Sequence, residues 1–277
     1  MPGTVDANRP TLMEKQIVVD RDIAYQGRDR KLDVYSGRDA YASVVLIHGG
    51  GWFHGDKAKD EDLATRLAQE GFVVFVPNYG LTPSATFPAA RDDILAAVEW
   101  ARSSRHGSPS SRSRVALWGS SAGGNLAVEA SLVSGLPAVD WSGPLDLLGF
   151  IEETDAGAEA SGAPTQDFAH ISSAAINQGG RNDAFLRWVI FELVGKDRSR
   201  LREATPLFRA SARSGPMYMA NSLGEFVPPA GATKMQLALA GVGVESIVQL
   251  VPGTAHAKGF ADSAIGGSLA FLRRVLA

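Results

Sequence analysis

The hydrophobic and polar positions of this 277-residue chain predict strands and helices in alternation. Short apolar runs such as Val44–Ile47 and Phe72–Val76 are typical of strands buried on both faces. Two earlier runs, Gln16–Val19 and Lys31–Tyr35, predict strands of an antiparallel edge. Because strand–helix units then repeat along the chain, we expect a mainly parallel sheet with helices on both faces.

The later elements follow the same reasoning. Helices are predicted over Asp60–Gln69, Ala89–Arg102, Gly231–Ala240 and Ala261–Leu276, with another beginning at Ala122, and strands over Val115–Trp118, Ala138–Ser142, Met217–Ala220 and Ser246–Val251. Between about residues 147 and 201 the pattern breaks into Glu/Asp/Gly/Ala-rich sequence, followed by one amphipathic segment, Asp183–Val194. We interpret this stretch as a cap or lid inserted in a single domain that spans residues 1–277.

Composition narrows the classes of function. With 45% apolar residues the chain can bury one substantial core, and its formal net charge of −3, with no basic cluster, argues against nucleic acid as a partner. No apolar stretch approaches the roughly 18 residues of a membrane span, and Met1–Asp20 lacks a hydrophobic signal core, so a cytoplasmic protein is expected. The chain has no cysteine and only scattered histidines, so we expect no metal and no cofactor.

A G-x-S-x-G segment, Gly119 to Gly123, follows the apolar run Val115–Trp118. Between a strand and a helix such a segment forces its serine, here Ser121, into a strained turn that presents the hydroxyl. The two glycines have no Cβ atoms to collide across the turn, and Ala122 is small enough to admit a substrate carbonyl. The segment predicts a nucleophilic serine, although a lone match also arises by chance in a chain with 30 glycines.

A glycine loop follows the predicted strand Val44–Ile47. Its residues are His48, Gly49, Gly50, Gly51 and Trp52. The loop lies at the carboxyl end of a strand, where open α/β sheets bind their ligands. Three glycines alone favour an ordinary turn, but their combination with the serine turn about seventy residues later predicts that their amides bind an oxyanion.

His256 is the predicted general base. In one class of serine hydrolases the nucleophile comes first, the acid second and the histidine last, and His256 follows Ser121 in a turn after the strand Glu245–Val251. The other histidines have different predicted roles: His48 braces the glycine loop, His54 and His106 are surface groups, and His170 is solvated.

Together these features resemble the α/β-hydrolase superfamily, and within it the HGGG-type esterases and lipases, the hormone-sensitive-lipase-like and BD-FAE-like carboxylesterases. The resemblance covers nearly the whole chain. It is carried by the Ile23–Tyr35 edge, His48–Trp52, Tyr79, Phe87–Pro88, Trp100, Gly119–Asn125, Val227–Pro228 and Pro252–His256. It implies the α/β-hydrolase fold and an oxyanion hole made by the amides of Gly50, Gly51 and Ala122. Relatives of this kind often pair, so the resemblance also leaves a homodimer open.

The triad acid departs from the pattern of these relatives. They usually carry an aspartate three residues before the valine of a Val-Pro pair, and in this chain Gly224 occupies that place. Glu225 comes next, and its longer side chain could reach the histidine from the same loop, since glutamate is the acid in some hydrolases. The alternatives are a Ser–His dyad with a solvated Glu225, or an acid from elsewhere, such as Asp262.

The sequence therefore predicts a serine hydrolase that cleaves a small acyl ester through an acyl-enzyme intermediate. An arylformamidase, a lactonase or an acyltransferase of secondary metabolism would use the same serine, and kinship of fold does not separate these reactions. An alternative from another class is a catalytically weakened binding protein that keeps the pocket and has lost the acid.

Substrate contacts are predicted beside the serine and in the cap segment. The predicted substrate-binding residues are Trp52, Ser120, Phe185 and Trp188, with Phe168 and Phe191 as further candidates. For the aromatic residues of the cap, the alternative is that they form the internal core of the cap.

Overall fold

Eight strands form one sheet in the computed structural model, which describes residues 16–161, 168 and 179–277. The strands are β1 (Val18–Gln26), β2 (Arg30–Ser36), β3 (Ala42–Ile47), β4 (Phe72–Pro77), β5 (Val115–Ser120), β6 (Ala138–Trp141), β7 (Met217–Ser222) and β8 (Ser246–Val251). They lie in the order β1-β2-β4-β3-β5-β6-β7-β8. β2 pairs antiparallel with both β1 and β4, and all other pairs are parallel. The predicted antiparallel edge and mainly parallel sheet are confirmed.

Helices connect most of these strands. In the described residues they are α1 (Glu61–Gln69), α2 (Ala89–Ser103), α3 (Pro109–Ser113), α4 (Ala122–Ser134), α5 (Leu147–Ser161), α6 (Asp183–Leu193), α7 (Leu201–Ala204), α8 (Ala230–Gly241) and α9 (Ala261–Val275). Each helix predicted from apolar spacing is present and ends within a few residues of its predicted bounds. None of the helices in the described ranges is both long enough and apolar enough to cross a membrane.

The sheet separates two hydrophobic cores. Along β3, Val45 and Ile47 point into the core that also contains residues of α2, α4 and α8, whereas Val44 and Leu46 point into the core formed with α1 and α9. Side chains alternate between the faces of a strand, so a continuous apolar run is needed when both faces are covered. Burial on both faces explains why the apolar runs of the sequence are unbroken.

The segment between β6 and β7 is more helical than the sequence predicted. It carries α5 as well as α6 and α7, whereas only the Asp183–Val194 segment was expected to be helical. In α5, the buried residues Phe150 and Ile151 lie in the first turns, before the Gly/Ala/Glu-rich part. Too few apolar positions recur along α5 for the periodic pattern to be visible.

The parallel strands bring six loops to one edge of the sheet. These loops begin after Ile47, Pro77, Ser120, Trp141, Ser222 and Val251. Since the carboxyl ends of parallel strands lie at the same edge, residues far apart in sequence meet there. This edge carries the candidate site.

Candidate active site

The turn between β5 and α4 holds Ser121 in a strained backbone conformation, with φ 57° and ψ −124°. A positive φ at a non-glycine residue of this kind costs about 1–3 kcal/mol. The flanking glycines make the turn sterically feasible: a Cβ on Gly119 would lie 2.0 Å from the Gly123 carbonyl oxygen, and one on Gly123 would lie 2.1 Å from the Ile47 carbonyl oxygen. The predicted strand, turn and helix around this serine are confirmed.

Helix α4 begins directly after this serine. The amide of Ala122 belongs to its first turn, where N–H groups have no acceptor within the helix. The positive end of the helix dipole lies at the same place. The Ser121 amide itself donates to the Trp141 carbonyl at 2.7 Å, which ties the turn to the end of β6. An anion beside Ser121 would therefore meet a free amide and a favourable field.

The glycine loop after β3 folds back on itself. The amides of Phe53 and His54 donate to the Gly50 carbonyl at 3.3 and 3.0 Å. Gly50 has a φ of 129°, and a Cβ there would lie 1.8 Å from the His54 carbonyl oxygen, so only glycine fits. Gly51, with φ 60°, follows in the same tight turn. Both glycines line the same cavity as Ser121.

His48 packs under this loop and stabilises it, as predicted. Its ring stacks on Tyr79 with centroids 4.3 Å apart, and the Tyr79 hydroxyl donates to the His48 carbonyl at 2.9 Å. Burial lowers the pKa of His48, with a smaller opposing effect of its contact with the Gly49 carbonyl. The ring is therefore neutral and serves as packing for the loop.

The loops after β7 and β8 bring Glu225 and His256 together. Glu225 Oε2 lies 2.5 Å from His256 Nδ1, and both side chains are buried. The other oxygen, Oε1, accepts hydrogen bonds from Ser142 Oγ at 2.9 Å, the Ser222 amide at 2.8 Å and Asn221 Nδ2 at 3.3 Å. These donors compensate for the removal of the carboxylate from water.

Gly224 lies where these two loops contact each other. Its amide donates to the Gly253 carbonyl at 2.9 Å, and a Cβ on Gly224 would lie 3.2 Å from that oxygen. The position expected for an aspartate is thus pressed against the β8 loop, and the carboxylate comes from the next residue. Asp262, the alternative acid, is exposed in the first turn of α9.

A second buried carboxylate lies near Glu225. Asp140, at the end of β6, is fully buried, and its Oδ1 accepts a hydrogen bond from the Gly143 amide at 2.7 Å. The pKa of Asp140 is raised to about 8, mainly because burial disfavours the charged carboxylate. The hydrogen bond from the Gly143 amide lowers this pKa, and the negative charge of Glu225 raises it. Asp140 is therefore largely protonated at neutral pH.

A cavity of about 570 Å³ joins these parts. Ser121, His256, the glycine loop and Ala122 lie along it. The lining contains both apolar and polar side chains. The apolar lining residues, called here the apolar wall, are Phe53, Phe185, Leu186, Val189, Phe226 and Val227, and the polar lining residues, called the polar wall, are His54, Lys59, Asp60, Thr254 and Lys258. The cavity could therefore contact both an apolar and a polar group of a ligand.

The predicted substrate-binding residues have different places. Trp52, Ser120 and Phe185 line the cavity, and within the described lining Trp188 is absent. The Trp188 ring packs edge-on against Phe53, with centroids 4.7 Å apart. Trp188 therefore contacts two lining residues, Phe53 and Phe185, and its contact with substrate stays a prediction.

The two further aromatic candidates belong to the packing of the segment between β6 and β7. Phe168 is buried against Phe185, with ring centroids 5.6 Å apart, and Phe191 lies under the Arg187 guanidinium. The internal-core alternative thus describes these two residues. His170 falls outside the described residues.

Several lining residues were not predicted. Leu186 and Val189 share a face of α6 with Phe185, a relation that helical spacing could have revealed. His54 was predicted as a surface group but lines the cavity. The polar wall was not predicted, because Lys258 Nζ reaches Asp62 and Asp60, at 2.8 and 3.2 Å, from a distant part of the sequence.

Comparison with known proteins agrees with this architecture. The model of the family described as BD-FAE matches residues 32–178. The carboxylesterase NlhH of Mycobacterium tuberculosis is 32% identical over 199 residues, which are 69% of this chain and 60% of that protein. The match thus spans less than two thirds of that relative.

Solved structures share the fold at low sequence identity. An esterase of the bacterial hormone-sensitive lipase family has a TM-score of 0.71 and 20% identity, covering 97% of this chain and 87% of its own. A truncated carbohydrate esterase from gut microbiota has a TM-score of 0.71 and 18% identity, covering 96% of this chain and 99% of its own. The fold is therefore the α/β-hydrolase fold. The chain belongs to the BD-FAE family within this superfamily.

Proposed function

We propose that this protein is a serine carboxylic-ester hydrolase that cleaves a small acyl ester through an acyl-enzyme. The observation that carries the proposal is the contact between Glu225 and His256 in the cavity that holds the strained Ser121. The similarity to the carboxylesterase NlhH supports an ester as the substrate.

The proposed reaction begins when Ser121 Oγ attacks the acyl carbonyl carbon. His256 Nε2 takes the hydroxyl proton, while Glu225 holds the Nδ1 proton and stabilises the imidazolium that forms. His256 then gives its proton to the departing alcohol, and the acyl group stays on Ser121. Water repeats the sequence, so that the carboxylic acid leaves and Ser121 regains its proton.

The negative charge on the carbonyl oxygen is stabilised in this proposal by the amides of Gly50, Gly51 and Ala122. Losing one oxyanion donor in a comparable enzyme costs about 2.7–4 kcal/mol in the transition state. Because backbone groups supply the donors, side-chain substitutions at these positions would act by steric displacement.

The two walls of the cavity suggest how an ester would lie. We assign the acyl group to the apolar wall of Phe185, Leu186 and Val227, and the alcohol to the polar wall. In this assignment residues 147–201 act as a cap that bounds the acyl group. The cavity volume of about 570 Å³ suits a small substrate.

The alternative of a catalytically weakened binding protein was based on the possible loss of the triad acid. Glu225 beside His256 favours an enzyme, because a buried carboxylate in this position serves the histidine.

The test is the release of p-nitrophenol from short-chain esters, with intact-mass detection of an acyl adduct. We expect a burst and an adduct in the wild type, and neither in Ser121→Ala. Ser131→Ala is the matched control, since it removes a buried hydroxyl of α4 outside the described lining of the cavity and should still form the adduct. Ester cleavage by Ser121→Ala would contradict the proposal, and transfer of the acyl group to an added alcohol or amine in preference to water would identify an acyltransferase.

A further inference from the structure

Ser142 is a buried serine in the loop that follows β6, and the proposed reaction does not use it. Its backbone has a φ of 60°, and its amide donates to the Ala220 carbonyl at 2.8 Å. A non-glycine residue in this conformation is strained, so the surrounding contacts must hold it there.

The hydroxyl of Ser142 contacts the Glu225 carboxylate and the backbone next to His256. Its oxygen lies 2.9 Å from Glu225 Oε1 and 3.0 Å from the amide nitrogen of Ala257, the residue after His256. An amide N–H can only donate, so the hydroxyl accepts that bond and directs its single proton to the carboxylate. The direction of both hydrogen bonds is therefore determined.

We propose that Ser142 is a positioning residue that couples the Glu225 carboxylate to the loop that carries His256. The proposal rests on the proposed function, in which Glu225 and His256 act together on Ser121. The same hydroxyl donates to the Glu225 carboxylate and accepts from the Ala257 amide next to His256. Its loss would leave the Ala257 amide without its buried acceptor and remove a charge-assisted bond from Glu225.

We expect the loss of the Ser142 hydroxyl to reduce kcat only in part, because Ser222 also connects Glu225 to the loop that carries His256. The Ser222 amide also donates to Glu225 Oε1, and Ser222 Oγ donates to the Ala255 carbonyl at 2.5 Å. With this link intact, Glu225 keeps its contact with His256 but loses some of its alignment. We expect kcat to fall about tenfold while KM changes less than about twofold.

Two variants separate the hydroxyl from the backbone strain. Ser142→Ala removes the hydroxyl and keeps the strained φ, whereas Ser142→Gly removes the hydroxyl and relieves the strain. The two should differ in thermal stability and share the same loss of kcat. If Ser142→Ala fails to fold, Ser142→Gly still provides the measurement.

Ser268→Ala is the matched structural control. Ser268 is equally buried, and its hydroxyl also makes two hydrogen bonds, with Trp141 Nε1 at 3.0 Å and the Ala264 carbonyl at 2.9 Å. It lies in α9, outside the described lining of the cavity. We expect this variant to lose thermal stability and to keep the wild-type kcat.

A double-mutant cycle with Glu225→Gln tests the coupling. If Ser142 acts through Glu225, Ser142→Ala should cost much less in kcat when Glu225 is already glutamine. An unchanged kcat in both folded Ser142 variants, or an equal factor lost in the Glu225→Gln background, would overturn the proposal.

A second readout does not depend on turnover. The proton between His256 Nδ1 and Glu225 should give a low-field signal in the ¹H NMR spectrum, identified by its absence in His256→Ala. We expect Ser142→Ala to shift or broaden this signal and Ser268→Ala to leave it in place. An unchanged signal in Ser142→Ala would count against the positioning role, whereas a wild type that shows the signal and cleaves no ester would count against the proposed function alone.

Discussion

Glu225 lies 2.5 Å from the Nδ1 atom of His256, although the two residues come from loops after different strands. The pairing of β7 with β8 brings those loops together, and the Gly224–Gly253 hydrogen bond extends the contact beyond the strands. A side chain at position 224 would press on the β8 loop, whereas Glu225 points at the histidine. The carboxylate thus stands one residue later than the resemblance to HGGG-type esterases implies.

Glu225→Gln should lower kcat by about 10⁴, because an amide cannot stabilise the imidazolium as a carboxylate does. Glu129→Gln is the matched control. Glu129 is also buried and forms an ion pair with Arg209, but it lies outside the described lining of the cavity. Steady-state ester hydrolysis by both variants is the measurement, and a kcat for Glu225→Gln near that of Glu129→Gln would contradict the assignment.

Leu186→Ala should shift the preference towards longer acyl chains. Leu186, Pro144 and Val227 stand between the main cavity and a smaller one of about 40 Å³, since these residues line both. Removing the leucine side chain would connect the two spaces, and one methylene in an apolar pocket is worth about 10–200-fold in discrimination. We expect the kcat/KM ratio of hexanoate to acetate esters to rise about tenfold.

Leu193→Ala is the control for this change. Leu193 is buried in the same helix, α6, and is absent from the described lining of either cavity. Both variants should lose about 2–5 kcal/mol of unfolding free energy, as buried leucines do. If the kcat/KM ratio of hexanoate to acetate esters changes equally in both variants, Leu186 does not limit the length of the acyl chain.

Asp140→Asn should become more stabilising as the pH rises. The pKa of Asp140 in the folded protein, about 8, lies above its ordinary value of 3.8, so the folded state binds this proton more tightly than the unfolded state. The contribution of Asp140 to the unfolding free energy is therefore largest at low pH and is lost as the pH rises through about 8. Asparagine keeps the Oδ1 acceptor for the Gly143 amide and does not ionise.

We expect the stability of Asp140→Asn relative to the wild type to increase by at least about 1 kcal/mol between pH 5 and pH 9, since one pH unit corresponds to about 1.4 kcal/mol. Chemical denaturation at the two pH values measures this difference. A constant difference across the range would mean that Asp140 ionises normally in the folded protein.

Gly123→Ala should destabilise the fold by about 3 kcal/mol or more, because its Cβ would collide with the backbone at the end of β3. Gly266→Ala is the control, since Gly266 lies in α9 and a Cβ there meets nothing within 4 Å. We expect that variant to gain about 0.5 kcal/mol from the reduced freedom of the unfolded chain. Thermal unfolding compares the two, and equal stabilities would show that the serine turn tolerates a side chain.

The apolar pattern predicted the strands and most helices because each buried element carries its own signal. Val44–Ile47 is apolar throughout since β3 is covered on both faces, and α2 repeats its buried residues at helical spacing. Helix α5 was not predicted because its large apolar residues stand only in its first turns, so the sequence shows no periodic pattern. Trp188 was predicted to touch substrate, and its ring packs against the lining residue Phe53, a contact that the apolar pattern does not predict.

The sequence by itself determined the strand order along the chain, the serine turn and the glycine loop, because these depend on local backbone constraints that only certain residues satisfy. Gly119 and Gly123 are required within five residues of each other, and Gly50 is required by its own turn. Tertiary structure alone decided which carboxylate meets His256, that Ser142 joins the two loops, and that Lys258 and Asp60 share a wall of the cavity. Those relations depend on which strands are neighbours in the sheet, and distances between distant segments are set by packing rather than by any local pattern.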